Sequence, residues 1–385
     1  MLVECILFVC LFQIVYTWFG YVFILYLASQ IIPKKVRQYP RTVRLPKVTI
    51  IVSAYNEEKI IGTRIKNILS LDYPEDLTEV LIGSDGSTDR TVEIAERYAR
   101  YNVKIISFKE NKGRADVHNE LVKVATGEIL IFTDADSLFE KNFVRSIVKP
   151  FNDMNVGGAI GKLCYLINGG TVAEGEGVYW KHELFIKSLE DALGVINTGT
   201  GACMAIRKWC FKTLSPVDDV DTATIIDIGL QRLAVAYVSD AIAYDYPPHS
   251  MSSEFKMRVR GTSKTIASIV HRYSICEWVR HPVLAWSLMS HRISRYLSPY
   301  FAIIALACNI SLFACGRGYQ MLFWAQATFY FLAILGLIGD VTKKRIFVAS
   351  GVFSFCLALS GMMVGVAKAA VGKAKVTYMT EDVFR

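Results

Sequence analysis

The acidic residues of this sequence have the spacing that most clearly suggests chemistry. Asp134 and Asp136 follow the apolar run Ile129–Phe132, and a second acidic cluster lies at residues 218–221. Residues i and i+2 of an extended chain point to the same side, so the first two carboxylates face one point beyond a strand end. Two carboxylates there suit a divalent cation that also holds phosphate oxygens. A solvated acidic turn is the alternative.

Short apolar runs alternate with amphipathic stretches from residue 48 onward. Four of these runs predict strands, at Val48–Val52, Val80–Ile82, Val103–Ser107 and Ile129–Phe132, and the intervening helices are predicted at 57–70, 88–100 and 115–125. This order predicts an α/β fold with a mostly parallel sheet and helices on both faces. Open sheets of this kind bind ligands beyond the carboxyl ends of their strands, where Asp134 and Asp136 stand. A further helix is predicted near 174–192 and a strand at 235–238.

Polar loops follow the first three predicted strands. They read SAYNEE at 53–58, SDGSTD at 84–89 and NKGR at 111–114. Asp85 is placed to accept a hydrogen bond from the ring N–H of a base, and the next helix N-terminus favours an anion. The alternative for SDGSTD is a simple capped turn. Arg114 is placed to reach a diphosphate, and its alternative is a solvated basic loop.

Both ends of the chain are apolar, and 52% of its 385 residues are hydrophobic. Residues 5–32 carry no charge and are long enough to span a bilayer. The lack of a basic segment before them argues against a cleaved signal peptide. Three more spans are predicted near 296–315, 319–339 and 346–367, preceded by an interfacial segment. The spans hold no ionisable residue except Asp340 at an end, which argues against a transporter.

These patterns divide the chain into consecutive segments. They are a transmembrane helix at 1–32, a basic linker at 33–46, the α/β domain at 47–275, an interfacial segment at 276–295, about three transmembrane helices at 296–370 and a tail at 371–385. The basic linker places the α/β domain in the cytoplasm of a multi-pass protein of the cell membrane. The side of the C-terminus stays open, because four spans put it outside whereas the lysines at 368, 373 and 375 favour the inside. The net charge of +8 is attributed to lipid headgroups rather than nucleic acid, for which no motif is present.

Four motifs in order carry a resemblance to a known family. SAYNEE, SDGSTDRT, NKGRADVHNEL and TGEILIFTDADS resemble the motifs of the family 2 inverting glycosyltransferases, which have the GT-A nucleotide-sugar fold. EGVYWKHE at 176–183 and TGACMAIR at 200–207 resemble the EGxYWxxE and TGAxxAIR segments of the membrane polysaccharide-synthase branch. EFKMRVR at 254–260 stands where processive members have QxxRW. The resemblance covers roughly residues 47–265.

The resemblance implies a role for each matching residue. It implies contacts with the nucleotide-sugar for Ala54, Tyr55, Glu57, Asp85, Arg114, Asp134, Arg258 and Arg260, with Asp85 on the uridine. It implies Mn²⁺ or Mg²⁺ at Asp134 and Asp136, with Asp136 the direct ligand. The acceptor side comprises Trp180, His182, Gly201 and Ala202. Two alternatives remain, namely helix packing for Trp180 and contact with lipid headgroups for Arg258 and Arg260.

The general base is expected within residues 218–221. Aligning Asp218-Asp219 with the family's acidic pair makes Asp219 the base, but the strand at 235–238 then follows two residues late. Without that shift Asp221 becomes the base. In either case one carboxylate must take the proton of an acceptor hydroxyl, a contribution of about 10²–10⁴-fold to the rate.

The expected function is therefore that of a membrane-bound inverting glycosyltransferase. It would transfer a sugar from a nucleotide-sugar, UDP-linked by resemblance, to a lipid-linked or growing glycan acceptor. Met257 and Gly261 stand where processive synthases have Gln and Trp, and that Trp stacks on the growing sugar. Single transfer and processive synthesis both stay open. A non-catalytic module that binds nucleotide-sugar is the remaining alternative.

Overall fold

A computed structural model describes residues 1–32, 44–167, 171–172, 178–246, 250–342, 344 and 347–372 of the chain. The chain forms two compact units. One contains residues 25–248 and 267–285, and the other contains 1–24, 249–266 and 286–374. Most of the predicted basic linker, the tail from residue 373 and the side chain of Trp180 lie outside the described residues.

The first unit is built on one mixed sheet. Its strands are β1 Val48–Ala54, β2 Thr78–Asp85, β3 Val103–Phe108, β4 Ile129–Asp134, β5 Leu138–Phe139, β6 Val156–Ile167, β7 Thr171–Val172, β8 Met204–Arg207 and β9 Ala234–Asp245. The order is β3-β2-β1-β4-β8-β6-β9-β5, and β7 pairs with β6. Strands β1 to β4 are parallel to one another, whereas β8 runs antiparallel to both β4 and β6. The predicted α/β sheet is confirmed, and the carboxyl ends of β1, β2 and β4 lie side by side.

Helices connect and flank these strands. They are α1 Leu2–Val15, α2 Tyr21–Ile31, α3 Ile61–Leu69, α4 Thr91–Glu96, α5 Arg114–Val124, α6 Phe143–Val148, α7 Val178–Leu193, α8 Val220–Leu230, α9 Met251–Arg272, α10 Ile275–Arg280, α11 Pro282–Ser287, α12 Ser294–Leu312, α13 Arg317–Val341 and α14 Phe347–Ala370. The helix predicted at 88–100 is shorter than expected and ends in a 3₁₀ turn at Ala99–Tyr101.

Apolar side chains fill both faces of the sheet. On β1, Ile50 and Val52 pack with Ile61 and Ile65 of α3, whereas Ile51 faces the opposite side. The opposite cluster includes Leu121 of α5 together with residues of α8. Alternate residues of one strand are therefore buried on both faces, as expected for a parallel strand covered by two helical layers.

Four helical stretches among the described residues are long and apolar enough to cross a membrane. They are Leu2–Ile31, Pro282–Cys315, Arg317–Val341 and Val348–Ala370. Three of them correspond to the spans expected near 5–32, 319–339 and 346–367. The stretch Pro282–Cys315 begins earlier than expected, because α11 continues through a π-helical turn at Leu288–Ile293 into α12. From Pro282 onward the expected interfacial segment therefore belongs to the long helix.

Candidate active site

Hydrogen bonds tie the loop after β1 to the loop after β2. The backbone N–H groups of Asn56 and Glu57 donate to the hydroxyls of Ser87 and Thr91, at 3.1 and 2.7 Å. In return, Asn56 Oδ1 accepts from the Thr88 backbone N–H at 2.8 Å. Asn56 has φ +54°, a left-handed conformation that asparagine tolerates better than most residues. SDGSTD therefore does more than cap a helix, because it fixes the SAYNEE loop at the edge of the sheet.

Asp85 is buried at the end of β2 and joins this edge to the start of α5. Its carboxylate accepts from the backbone N–H groups of Lys112 and Gly113 at 2.7 and 2.9 Å. Gly113 has φ +93°, a conformation that L side chains rarely adopt. The glycine of NKGR thus lets the chain turn into α5 while donating to Asp85, and Arg114 follows as the first residue of the helix.

A small cavity of about 40 Å³ brings the predicted donor residues together. Its lining consists of Ser53, Ala54, Tyr55, Glu57, Asp85, Arg114, Asp134, Ala135 and Asp136. Six of the eight residues predicted to contact the nucleotide-sugar and both predicted metal ligands are in this set. The cavity lies at the carboxyl ends of β1, β2 and β4, where open α/β sheets bind ligands.

The two carboxylates after β4 have different environments. Asp134 Oδ1 lies 2.8 Å from an Arg114 guanidinium nitrogen. Asp136 has no ion-pair partner among the described residues, and burial together with the charge of Asp134 raises its pKa to about 6. Within the described residues no group of three or more His, Cys, Asp or Glu residues forms a metal cluster. The paired carboxylates of Asp134 and Asp136 fit Mg²⁺ or Mn²⁺, which bind to one or two carboxylates and take their remaining ligands from phosphate and water.

Asp221 lies beside Arg114 and Gly201. Its Oδ1 is 4.0 Å from the Arg114 guanidinium. That oxygen is buried and accepts no hydrogen bond among the described residues. A Cβ on Gly201 would lie 2.6 Å from both Asp221 oxygens, so a larger residue here would displace this carboxylate. Burial raises the pKa of Asp221 to about 7, against the opposing charge of Arg114.

Asp219 and Asp218 occupy different environments from Asp221. Asp219 stands at the N-cap of α8, where its carboxylate accepts from the Thr222 hydroxyl at 2.7 Å. Asp218 is fully buried and ion-paired with Arg272, and its other oxygen lies 3.0 Å from His271 Nδ1. Arg272 also pairs with Asp227, at 2.8 Å. The geometry thus brings Asp221, and not Asp218, to Arg114 and Asp134.

The remaining predicted site residues are more dispersed. Ala202 is buried, and its carbonyl accepts from the Thr133 hydroxyl at 2.9 Å. His182 is half-buried on α7. Arg258 and Arg260 lie on α9, where Arg258 is 3.7 Å from Glu254 one turn away. A Cβ on Gly361 of α14 would lie 2.7 Å from Arg258 Cβ, so this part of α9 packs closely against α14.

Sequence reasoning missed three charged residues near these groups. Arg64 of α3 is fully buried, donates to the Thr133 hydroxyl at 2.6 Å, and has a pKa lowered by burial to about 9. Asp245 ends β9, and burial together with the charges of Asp136 and Asp134 raises its pKa to about 7. Arg272 is the third. The sequence signal for Arg64 is a charged residue within the helical pattern of apolar residues that includes Ile61 and Ile65.

Known proteins share parts of this sequence and its fold. Residues 49–212 match the sequence profile of the Glycosyl transferase family 2. The chain is 24% identical over 220 residues to the poly-beta-1,6-N-acetyl-D-glucosamine synthase of Staphylococcus epidermidis, which covers 55% of this chain and 53% of that protein. It is 33% identical over 127 residues to a beta-monoglucosyldiacylglycerol synthase of Nostoc sp., covering 31% and 27% of the two chains. The matched region thus spans about half the length of the first relative and about a quarter of the length of the second.

A solved structure extends the likeness beyond the matched domain. The mannosyltransferase PcManGT from Pyrobaculum calidifontis, in complex with GDP-Man and Mn²⁺, superposes with a TM-score of 0.73 at 19% identity. The superposition covers 96% of this chain and 99% of that one. The fold is of the GT-A type. More particularly, residues 49–212 match the Glycosyl transferase family 2 domain.

Proposed function

We propose that this chain is a membrane-bound inverting glycosyltransferase that takes a sugar from a nucleotide-sugar, UDP-linked, on the cytoplasmic face. The acceptor is a lipid-linked or growing glycan. One observation carries the proposal. The cavity at the ends of β1, β2 and β4 joins the SAYNEE loop, Asp85, Arg114 and the carboxylate pair, and Asp221 lies 4.0 Å from Arg114.

The donor nucleotide binds to the edge of the sheet. Asp85 is rigidly held by two backbone N–H groups and retains acceptor capacity for a base ring N–H. Ala54, Tyr55 and Glu57 line the same cavity and enclose the nucleoside. Arg114, at the start of α5, offsets the negative charge that gathers on the departing diphosphate.

Asp134 and Asp136 would hold the metal ion through their carboxylates. When bound, Mg²⁺ or Mn²⁺ supplies positive charge to the diphosphate oxygens. Asp136 is the better direct ligand, because its carboxylate has no ion-pair partner among the described residues whereas Asp134 is engaged by Arg114. The complex of PcManGT with GDP-Man and Mn²⁺ supports a divalent ion and a nucleotide-sugar as ligands of this fold.

Asp221 acts as the general base. Its buried Oδ1, which accepts no hydrogen bond among the described residues, takes the proton of the acceptor hydroxyl as the hydroxyl oxygen bonds to the anomeric carbon. The bond from the anomeric carbon to the diphosphate oxygen breaks on the opposite face, and the nucleoside diphosphate leaves with the bonding electrons. The carbon is therefore inverted in a single displacement. This assignment follows the second alignment given above, in which Asp221 is the base. Asp219 then serves as the N-cap of α8, the helix that carries Asp221.

Each acceptor receives one sugar in this proposal. Gly261 stands at the position where processive synthases have the stacking Trp, and there is open space around its Cα where a side chain would stand. The relatives include both a polymer synthase and a glycolipid synthase by name. A measurement of product length therefore decides between processive synthesis and single transfer. The acceptor side is assigned to His182, Trp180, Gly201 and Ala202.

The membrane placement rests on the apolar helices and the basic linker. Four helical stretches have the length and composition to span a bilayer. The linker after the first of them is rich in Lys and Arg, which favours the cytoplasmic side. Arg258 and Arg260 are assigned either to the donor diphosphate or to lipid headgroups. Variants that remove these charges would distinguish the two roles.

A donor panel tests the proposal. The full chain, purified in mild detergent with Mn²⁺, is incubated with UDP-glucose, UDP-N-acetylglucosamine or GDP-mannose, and nucleoside diphosphate release is measured. We expect turnover of a UDP-sugar that EDTA or Asp136→Ala abolishes, while the exposed-site control Asp76→Asn keeps full activity. Mass analysis of the extracted product should show one added sugar. Unaltered donors despite measurable binding would instead indicate a non-catalytic module, and a polymer ladder would indicate a processive enzyme.

A further inference from the structure

A second cavity of about 1000 Å³ lies in the first unit, and none of the predicted catalytic or donor residues line it. The end of α7, the end of α8 and the start of β9 form its walls. It is separated from the base by the length of α8, because Asp221 is in the first turn of that helix and Arg232 follows its end. Eleven residues of helix correspond to about 16 Å.

Apolar elements at the expected membrane boundary also line this cavity. Ile32 comes directly after the first apolar helical stretch, and Pro282, Val283 and Leu284 form the first turn of the second. Val283 is largely exposed in the structure. If the long helices lie in a bilayer, as proposed above, the cavity opens at the level of the lipid headgroups.

Arg232 on this cavity has an unusual backbone. It has φ +59° and follows the C-cap residue of α8. Its N–H donates to the Gly229 carbonyl, and the Leu233 N–H donates to the Ile228 carbonyl, at 2.9 and 3.2 Å. These are the two bonds of a Schellman motif, whose left-handed position is usually glycine. An arginine here retains backbone strain that glycine would relieve.

The other charges around the cavity leave Arg232 as its main site for an anion. The Arg232 guanidinium has no hydrogen bond or ion pair among the described residues. Asp191 Oδ1 accepts from the Tyr237 backbone N–H at 2.9 Å, so its charge is partly compensated. His281 lies 3.2 Å from Glu277. Arginine is well suited to phosphate, which it binds through two parallel hydrogen bonds.

We propose that this cavity binds one anionic glycerophospholipid of the surrounding membrane, with the phosphate on Arg232 and an acyl chain along Val195 and Val283. The size of the cavity matches that of sites for small amphiphilic ligands. The site is distinct from the acceptor site, because it lies at the far end of α8 from Asp221. The proposal rests on the membrane placement proposed above but not on the sugar-transfer chemistry.

Lipid retention tests the proposal. The full chain is delipidated in mild detergent and titrated with phosphatidylglycerol or phosphatidylcholine, and bound lipids are counted by native mass spectrometry. We expect one phosphatidylglycerol to be retained by the wild type and by Arg232→Lys, and at least tenfold weaker binding by Arg232→Gly and Arg232→Asn. Ala192→Phe, which narrows the cavity without a change of charge, should weaken binding as well.

Thermal unfolding provides the control for folding. Arg232→Gly relieves the left-handed strain, so its Tm without lipid should equal or exceed that of the wild type. Donor turnover in detergent should persist in this variant, which separates the lipid site from the transferase site. Equal retention of phosphatidylglycerol by Arg232→Gly would overturn the proposal. So would equal retention of phosphatidylcholine, or displacement of the lipid by inorganic phosphate at equal concentration.

Discussion

Replacing Asp221 with Asn should make the protein more stable and nearly inactive. The pKa of Asp221 is raised from 3.8 to about 7 by burial. Below about pH 4 the carboxyl is protonated in both the folded and unfolded chains. As the pH rises toward 7, the unfolded chain releases the proton while the folded chain keeps it, so the wild type loses stability. Above pH 7 that loss is constant, and Asn, which carries no charge, avoids it.

The size of the effect follows from the same pKa. Three pH units at about 1.4 kcal/mol each give an upper limit of about 4 kcal/mol. The pKa of about 7 already includes the opposing charge of Arg114, so solvent screening of a side chain that is 21% exposed is what reduces this figure. We expect about 1–2 kcal/mol, which raises the Tm of a domain of this size by about 2–8 °C. The difference between the variant and the wild type should appear at pH 8 and vanish at pH 4.

Activity should move in the opposite direction. Without a base the transfer rate should fall by about 10²–10⁴-fold, while donor binding persists because the donor cavity is intact. The wild-type rate should rise with pH up to about 7 and then level off, since the base must be ionised. The assays are thermal unfolding at the two pH values, donor affinity by calorimetry and product formation. Asp76→Asn, at an exposed position, controls for the loss of one charge.

Two outcomes would contradict this reasoning. If Asp221→Asn kept more than a tenth of the wild-type rate, the base would be another group, and Asp219→Asn would be the next variant to examine. If the variant were less stable than the wild type at pH 8, the Asp221 carboxylate would be a structural ion-pair partner of Arg114. Loss of both stability and donor binding would likewise assign it to the framework of the site.

Three further substitutions test the surrounding framework. Gly201→Ala places a Cβ 2.6 Å from the base and should lower activity at least tenfold, whereas Gly62→Ala meets only ordinary contacts in α3 and should leave activity unchanged. Arg272→Met leaves the Asp218 carboxylate buried without its cation and should cost about 3–5 kcal/mol in thermal unfolding, with part of the loss restored by adding Asp218→Asn. Asp85→Asn turns one acceptor into a donor opposite two backbone N–H groups, so it should cost about 1–3 kcal/mol and weaken donor binding in calorimetry.

The residues of the proposed donor side lie together because local rules place them at one edge of the sheet. Asp134 ends a buried strand and Asp136 follows it, while Asp85 ends β2 and Arg114 begins α5 of the same β-α-β series. Parallel strands bring their carboxyl ends to one edge, so motifs that are far apart in the chain meet there without further information. The alternation of apolar and polar residues was sufficient to place them.

The base could not be chosen in the same way. Asp218, Asp219 and Asp221 all lie around the start of α8. The rotation of this helix about its axis decides which of them faces Arg114. This rotation is fixed by contacts with residues about fifty positions later in the chain. One of them is the hydrogen bond that the Asp219 backbone N–H donates to the Ser268 hydroxyl at 2.6 Å. Sequence periodicity contains no information on such a pairing.

The end of α9 therefore does more than complete the fold. Arg272 holds Asp218 and Asp227, which lie before the first turn and within the third turn of α8. Two ion pairs from one guanidinium fix both the axial position and the rotation of the helix. Asp221 lies between those two contacts, so the helix holds its carboxylate beside Arg114 and the Gly201 backbone. Asp218 is ion-paired with Arg272 and lies away from Arg114, whereas Asp221 lies beside Arg114, and this arrangement supports Asp221 as the proposed base.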